Sequence, residues 1–134
     1  MEEKLTEIFC DVDDFCRDFI TRWERAQIKS GQKERRRSSQ MTASEIMTIM
    51  ILFQMSGFRN LKSFYMWYVG SYLKKAFPSL VSYTRFVELQ QNMIVPLSVY
   101  LNKKCLGEVT GISFIDSAKI SVCHNMRIPQ NKVF

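Results

Sequence analysis

The chain has 134 residues, enough for about one domain with one hydrophobic core. Its 46% apolar side chains can support a core and exclude a disordered chain, its 24% charged fraction is ordinary, and its longest apolar candidate, residues 46–53, is far short of the ~18 residues of a membrane span. The formal net charge of +6 and an isoelectric point near 9.3 favour an anionic partner, nucleic acid first.

That charge is unevenly spread. Residues 1–28 carry four basic and eight acidic side chains, residues 29–75 nine and two, and residues 76–134 six and three. A polyanion therefore meets the middle and the end of the chain first. The four cysteines, Cys10, Cys16, Cys105 and Cys123, include no C-x-x-C pair, and the single histidine, His124, adjoins Cys123. This is a poor zinc pattern. The opening M-E-E-K-L-T-E lacks the basic-then-apolar signature of a secretory signal, so reduced thiols in a cytoplasmic protein are expected.

Residues 4–28 predict one amphipathic helix. Leu5, Ile8, Phe9, Val12, Phe15, Phe19, Ile20 and Trp23 recur at three- and four-residue steps, and Cys16 shares their stripe. Asp11, Asp13, Asp14 and Asp18 fall mainly off the stripe and read as a solvated face. Residues 29–40 are a polar loop after Gly31, in which Lys33, Arg35, Arg36 and Arg37 form a compact cationic patch. Two readings fit that patch: a solvated surface loop, or sequence-blind contact with phosphates, for which arginine's planar fork is suited.

Residues 42–56 open with a capping box, Thr42 and Glu45, followed by I-M-T-I-M-I-L-F-Q-M, which is apolar on nearly every face. Such a helix belongs at the centre of a bundle. Gly57 ends it, and a short connection leads to a helix over 61–77 that Pro78 terminates. The pair reads either as a plain αα-hairpin or as a helix-turn-helix with Arg59, Lys62, Lys74 and Lys75 flanking a groove-reading second helix. The crowded aromatics of that second helix (Phe64, Tyr65, Trp67, Tyr68, Tyr72) favour packing over base contact. Residues 79–105 look helical again, with Ser82 as N-cap, a kink or split at Pro96, and Lys103 and Lys104 complementing the C-terminal dipole.

Past Gly107, two short apolar or β-branched runs, 112–115 and 119–123, carry strand chemistry. The fold class expected is thus mostly α: a helical bundle over 1–108, followed by a two-stranded β-hairpin within 109–134. Asp116 ends the first run. It reads either as a turn aspartate or as a carboxylate held rigidly at a strand end for a metal ion or a proton.

F-I-D-S followed by V-C-H-N-M-R-I and K-V-F resembles the start of the catalytic domain in bacterial insertion-sequence transposases of the DDE class. The stretches A-S-E-I-M-T-I-M, S-G-F-R-N-L-K-S-F-Y and F-P-S-L-V-S-Y-T-R-F-V-E-L are similar to the N-terminal region of one branch of that family. The resemblance implies that the hairpin begins an RNase-H-like fold and that Asp116 is the first of three acidic metal ligands, hence catalytic. It further implies Mg²⁺ as cofactor and DNA at transposon ends as partner. Asn125, Arg127 and Lys132, just after the second strand, are then expected beside the DNA path. Ala118 departs from the family pattern, where threonine usually follows the D-S pair. The segments expected to carry the second and third acids do not appear before Phe134, so the chain reads as the truncated N-terminal part of a transposase, inactive alone. A non-catalytic DNA-binding module or transposition repressor is the alternative. A helical interaction domain that dimerises through the aromatic face of residues 4–28 is a third reading.

Overall fold

The computed structural model describes residues 2–31, 39–108 and 111. Every regular element among them is helical. Helix α1 spans Glu2–Lys29 and α2 spans Ala43–Met55. Helix α3 begins as one α-helical turn, Leu61–Ser63, and continues as a π-helix over Phe64–Tyr72. Helix α4 covers Tyr83–Gln91, and α5 runs through Ile94–Tyr100 into a π-helical turn, Leu101–Cys105. The expected hairpin, 112–115 with 119–123, lies outside the described residues.

Local chemistry explains most boundaries. Helix α1 closes at Gly31, whose φ of 71° is the left-handed conformation that glycine adopts without penalty. The capping box of α2 forms as its spacing predicts: Glu45 N–H donates to Thr42 Oγ1 at 3.2 Å, and Thr42 N–H donates to Glu45 Oε2 at 2.7 Å. Asn60 caps α3, its Oδ1 accepting from Lys62 N–H at 2.9 Å and Ser63 N–H at 3.2 Å. Ser82 caps α4 through Arg85 N–H.

Two boundaries differ from the sequence expectation. Helix α3 stops at Tyr72 rather than reaching Phe77. Its last bond runs from Leu73 N–H to Tyr68 O, five residues back, and the next bonds, from Ala76 and Phe77 N–H to Leu73 O, tighten to three and four. Leu73 and Phe77 both reach the core from this turn, while Lys74 and Lys75 stay in solvent, so the core anchors on either side hold the chain in a turn. The stretch 79–105 divides at Asn92 and Met93, where backbone bonds reach back three residues to Leu89 O and Gln90 O. Pro96 lies in the first turn of α5, where its missing N–H removes no intrahelical bond.

The core has two parts, and α2 lies between them. Ile46, Ile49 and Leu52 face Phe64, Tyr65, Val69, Leu73, Phe77, Phe86 and Leu89. Met47 faces Val12, Phe15, Cys16 and Tyr100 on the other side. This burial on opposite sides is what the all-round apolar pattern of α2 requires. The stripe of α1 is used within the chain: Phe15 is buried, edge-on to Tyr100 with ring centroids 5.3 Å apart. A dimer contact through Phe15 is therefore not available without opening this core.

Candidate nucleic-acid interface

The site residues expected from the sequence fall in two stretches. Lys33, Arg35, Arg36 and Arg37 lie within 32–38, and Asp116, Asn125, Arg127 and Lys132 lie within 112–134; both stretches are outside the described residues. Among the described residues, no group of three or more histidine, cysteine, aspartate or glutamate side chains is placed to hold a metal ion.

A different cationic surface is described. Residues 46–87 contain no aspartate or glutamate, yet hold Arg59, Lys62, Lys74, Lys75 and Arg85. Arg85 pairs with Glu88 at 2.7 Å. The other four are exposed and form no ion pair with a described residue. Arg59 and Lys62 stand at the start of α3, Lys74 and Lys75 in the turn that follows it. Like charges uncompensated by local acids attract a polyanion at both ends of one helix.

The aromatics of α3 divide between core and solvent. Phe64 and Tyr65 are buried, Tyr65 stacking on Phe86 at 4.4 Å and donating its hydroxyl to Val81 O at 2.7 Å. Trp67 is 73% and Tyr72 78% exposed. Packing thus buries Phe64 and Tyr65, half-buries Tyr68 and leaves these two facing water. A ring series runs outward from the core: Phe64 to Tyr68 at 5.5 Å, then Tyr68 to Tyr72 at 5.8 Å, with Phe58 5.7 Å from Tyr68.

The acidic face of α1 is also less simple than its pattern. Asp14 and Asp18 are exposed, but Asp11 and Asp13 tie α1 to other helices. Asp13 Oδ1 accepts from the buried Ser44 hydroxyl at 2.7 Å. Asp11 accepts from Tyr100 Oη–H at 2.7 Å and from Lys104 Nζ at 3.3 Å. The Tyr100 bond, aided by Lys104, holds the Asp11 carboxyl below its usual range against the effect of burial. Burial first, then the Asp11 carboxylate, pushes the Tyr100 phenol well up. Lys103, for its part, lies 6.0 Å above the Phe19 ring. The two lysines assigned to the dipole of α5 therefore reach across to α1. No periodicity marks such partners, because they are 89 and 93 residues apart in sequence for the two Asp11 bonds.

This clamp borders a groove of about 610 Å³ between α1, α2 and the end of α5, with Ile51, Met55 and Leu101 along its apolar wall. Cys105 opens onto it. Cys10 and Cys105 are exposed free thiols; Cys16 is buried, its Sγ 3.6 Å from Met47 Sδ, and burial pushes its thiol up. No described helix is long and apolar enough to cross a membrane.

Compared with known proteins, residues 106–134 match the family model described as a transposase DDE domain. Of that stretch, Leu106–Glu108 and Gly111 are among the described residues. No curated protein and no solved structure matches the chain. The C-terminal stretch is therefore similar to a transposase DDE domain, and the helices α1–α5 precede it.

Proposed function

We propose that this chain is the N-terminal part of a bacterial insertion-sequence transposase of the DDE class, acting on DNA in the cytoplasm. The observation that carries the reading is the family match at residues 106–134, which contains F-I-D-S and therefore Asp116. Helices up to residue 108 form a DNA-binding unit, and residues 109–134 begin an RNase-H-like catalytic domain. Asp116 ends the first strand of that domain and supplies one acidic ligand. When bound, a pair of Mg²⁺ ions would supply activation of an attacking oxygen and stabilisation of the leaving one at a phosphodiester.

The residues of this chain set a limit on that chemistry. A hard divalent ion takes several oxygen ligands, and a pair requires more than one strand-end carboxylate. On this reading the chain binds DNA through its basic residues, and cutting requires acids in addition to Asp116. Lys33, Arg35, Arg36 and Arg37, with Asn125, Arg127 and Lys132, contribute phosphate contacts, which give affinity that salt weakens and sequence does not change.

The test is a plasmid-nicking assay with the purified chain in Mg²⁺ or Mn²⁺. No cleavage above background is expected. Cleavage that disappears with Asp116→Ala would refute the claim that further acids are required. Cleavage by the longer protein that survives Asp116→Ala would remove Asp116 from the metal site.

One observation favours a second reading, a helical DNA-binding module or repressor. Among the described residues, both core clusters are built from residues between Leu5 and Tyr100, within the helical bundle. Tight binding of this chain to one terminal-repeat sequence, measured by gel shift, would support that reading. Binding with a steep salt slope and no sequence preference would leave only a basic surface.

A further inference from the structure

We infer that the exposed face of α3 binds unpaired DNA, with bases stacking on Trp67 and Tyr72 and phosphates held by Arg59, Lys62, Lys74 and Lys75. The inference rests on the DNA-directed reading above and adds a ligand form and a surface to it. Three observations point there. Trp67 and Tyr72 are 73% and 78% exposed, although burying either ring would release considerable apolar area from water. They are five residues apart on a helix whose closing bond, Leu73 N–H to Tyr68 O, also spans five, so they stand about one π turn apart. Tyr72 is also backed by Tyr68, which rests on the buried Phe64, so that ring is held in place before any ligand arrives.

Charge selects the occupant. The four cations bracket the rings at both ends of α3, and no acid occurs between Ile46 and Val87. A second copy meeting this face across a two-fold axis would set these cations against themselves. A single DNA strand presents phosphates to the cations and ring faces to the aromatics together. In a duplex the bases are already stacked on one another, so only the phosphates would engage. The ends of the helix are roughly 15–20 Å apart, the reach of a few unpaired nucleotides.

The chain has two tryptophans, so Trp23→Phe leaves Trp67 as the only indole emitter. Titrating this variant with a short oligothymidylate should quench its emission, and a duplex of the same length should not. In the otherwise unchanged chain, Trp67→Ala and Tyr72→Ala should each weaken oligothymidylate binding about tenfold, with duplex binding altered less than twofold. Trp67→Phe should keep most of the affinity, because the ring is retained. Circular dichroism melts of all variants should coincide with that of the parent.

Unchanged Trp67 emission at saturating oligothymidylate would overturn the proposal. So would equal losses for single strand and duplex, or no binding of oligothymidylate. Sedimentation showing that Trp67→Ala only dissolves a dimer would assign the face to self-association instead. The two readings fail separately. Selective duplex binding at terminal repeats with Trp67 silent would sink this inference and leave the transposase reading standing. Trp67 quenching by a chain whose longer form never acts at transposon ends would do the reverse.

Discussion

Two hydroxyls on α2 show how burial and partnership decide a residue's worth. Ser44 and Thr48 are both buried, one helical turn apart. Ser44 donates to Asp13 at 2.7 Å. Thr48 Oγ1 has no hydrogen-bond partner among the described residues. A buried hydroxyl without a partner costs about 1–3 kcal/mol of desolvation, whereas one bonded to a carboxylate is net favourable. Thr48→Val keeps the branched shape and removes the hydroxyl, and should raise stability by about 1 kcal/mol. Ser44→Ala removes one of the two partners of the Asp13 carboxylate, leaving Arg17, and should lower it by about 1 kcal/mol. Urea denaturation of the three proteins measures both, and a loss of stability in Thr48→Val would show that the hydroxyl has a partner after all. The sequence carries no signal for this contrast: Ser44 lies in the first turn of α2 and Thr48 within its apolar run, and neither position marks a partner.

Helices α1 and α5 are joined by a polar clamp, and its titration can be followed. Tyr100 is neutral when bonded to Asp11, and its phenol is raised above the ordinary value of about 10. A group whose pKa is raised by folding stabilises the fold below its unfolded value, and that contribution is lost as pH climbs past it. Thermal stability should therefore hold from neutral pH and begin to fall as pH rises past about 10, and Tyr100→Phe should show less of that fall while starting lower at pH 7. Asp11 has the opposite sense: its lowered pKa contributes above pH about 4 and is lost below it. Tyr65, also raised by burial, stays in both proteins, so the difference between them isolates Tyr100. Coincident alkaline curves for the two proteins would assign the clamp no energetic role. Helices α1, α2 and α4 were legible because apolar period and capping residues act locally: Thr42, Glu45 and Ser82 do in the fold what their spacing implies. The π winding of α3 and its early end at Tyr72 were not, because they follow from where Leu73 and Phe77 must reach the core. Aromatic identity alone likewise did not separate Tyr65, which packs, from Trp67, which faces water. The role expected of Asp116 rests on a resemblance alone, since an aspartate after an apolar run has no local pattern that distinguishes a ligand from a turn, and the residue lies outside the described ones.

Across the whole molecule, the charge along the chain becomes a direction in space. The acid-rich part of the sequence is α1, and two of its three exposed arginines are engaged: Arg17 with Asp13 at 2.7 Å and Arg22 with Asp18 at 2.8 Å. The cations around α3 have no such acidic neighbours among the described residues. A paired surface arginine brings little net field to a polyanion, because binding would first have to displace its carboxylate. An unpaired lysine that neutralises a phosphate releases a counterion, at about 0.7 in the logarithmic salt slope for single strands and 0.9 for duplex. Replacing Lys62, Lys74 and Lys75 by glutamine should therefore reduce the slope for single-stranded DNA by about 2. Replacing Arg17 and Arg22 by glutamine should leave it within about 0.5, although the formal charge falls almost as much. Fluorescence titrations between roughly 50 and 200 mM salt separate the two cases. Equal reductions for both sets would mean that net charge alone draws DNA to this protein. A reduction confined to the first set would mean that DNA approaches on the α3 side, with α1 turned away.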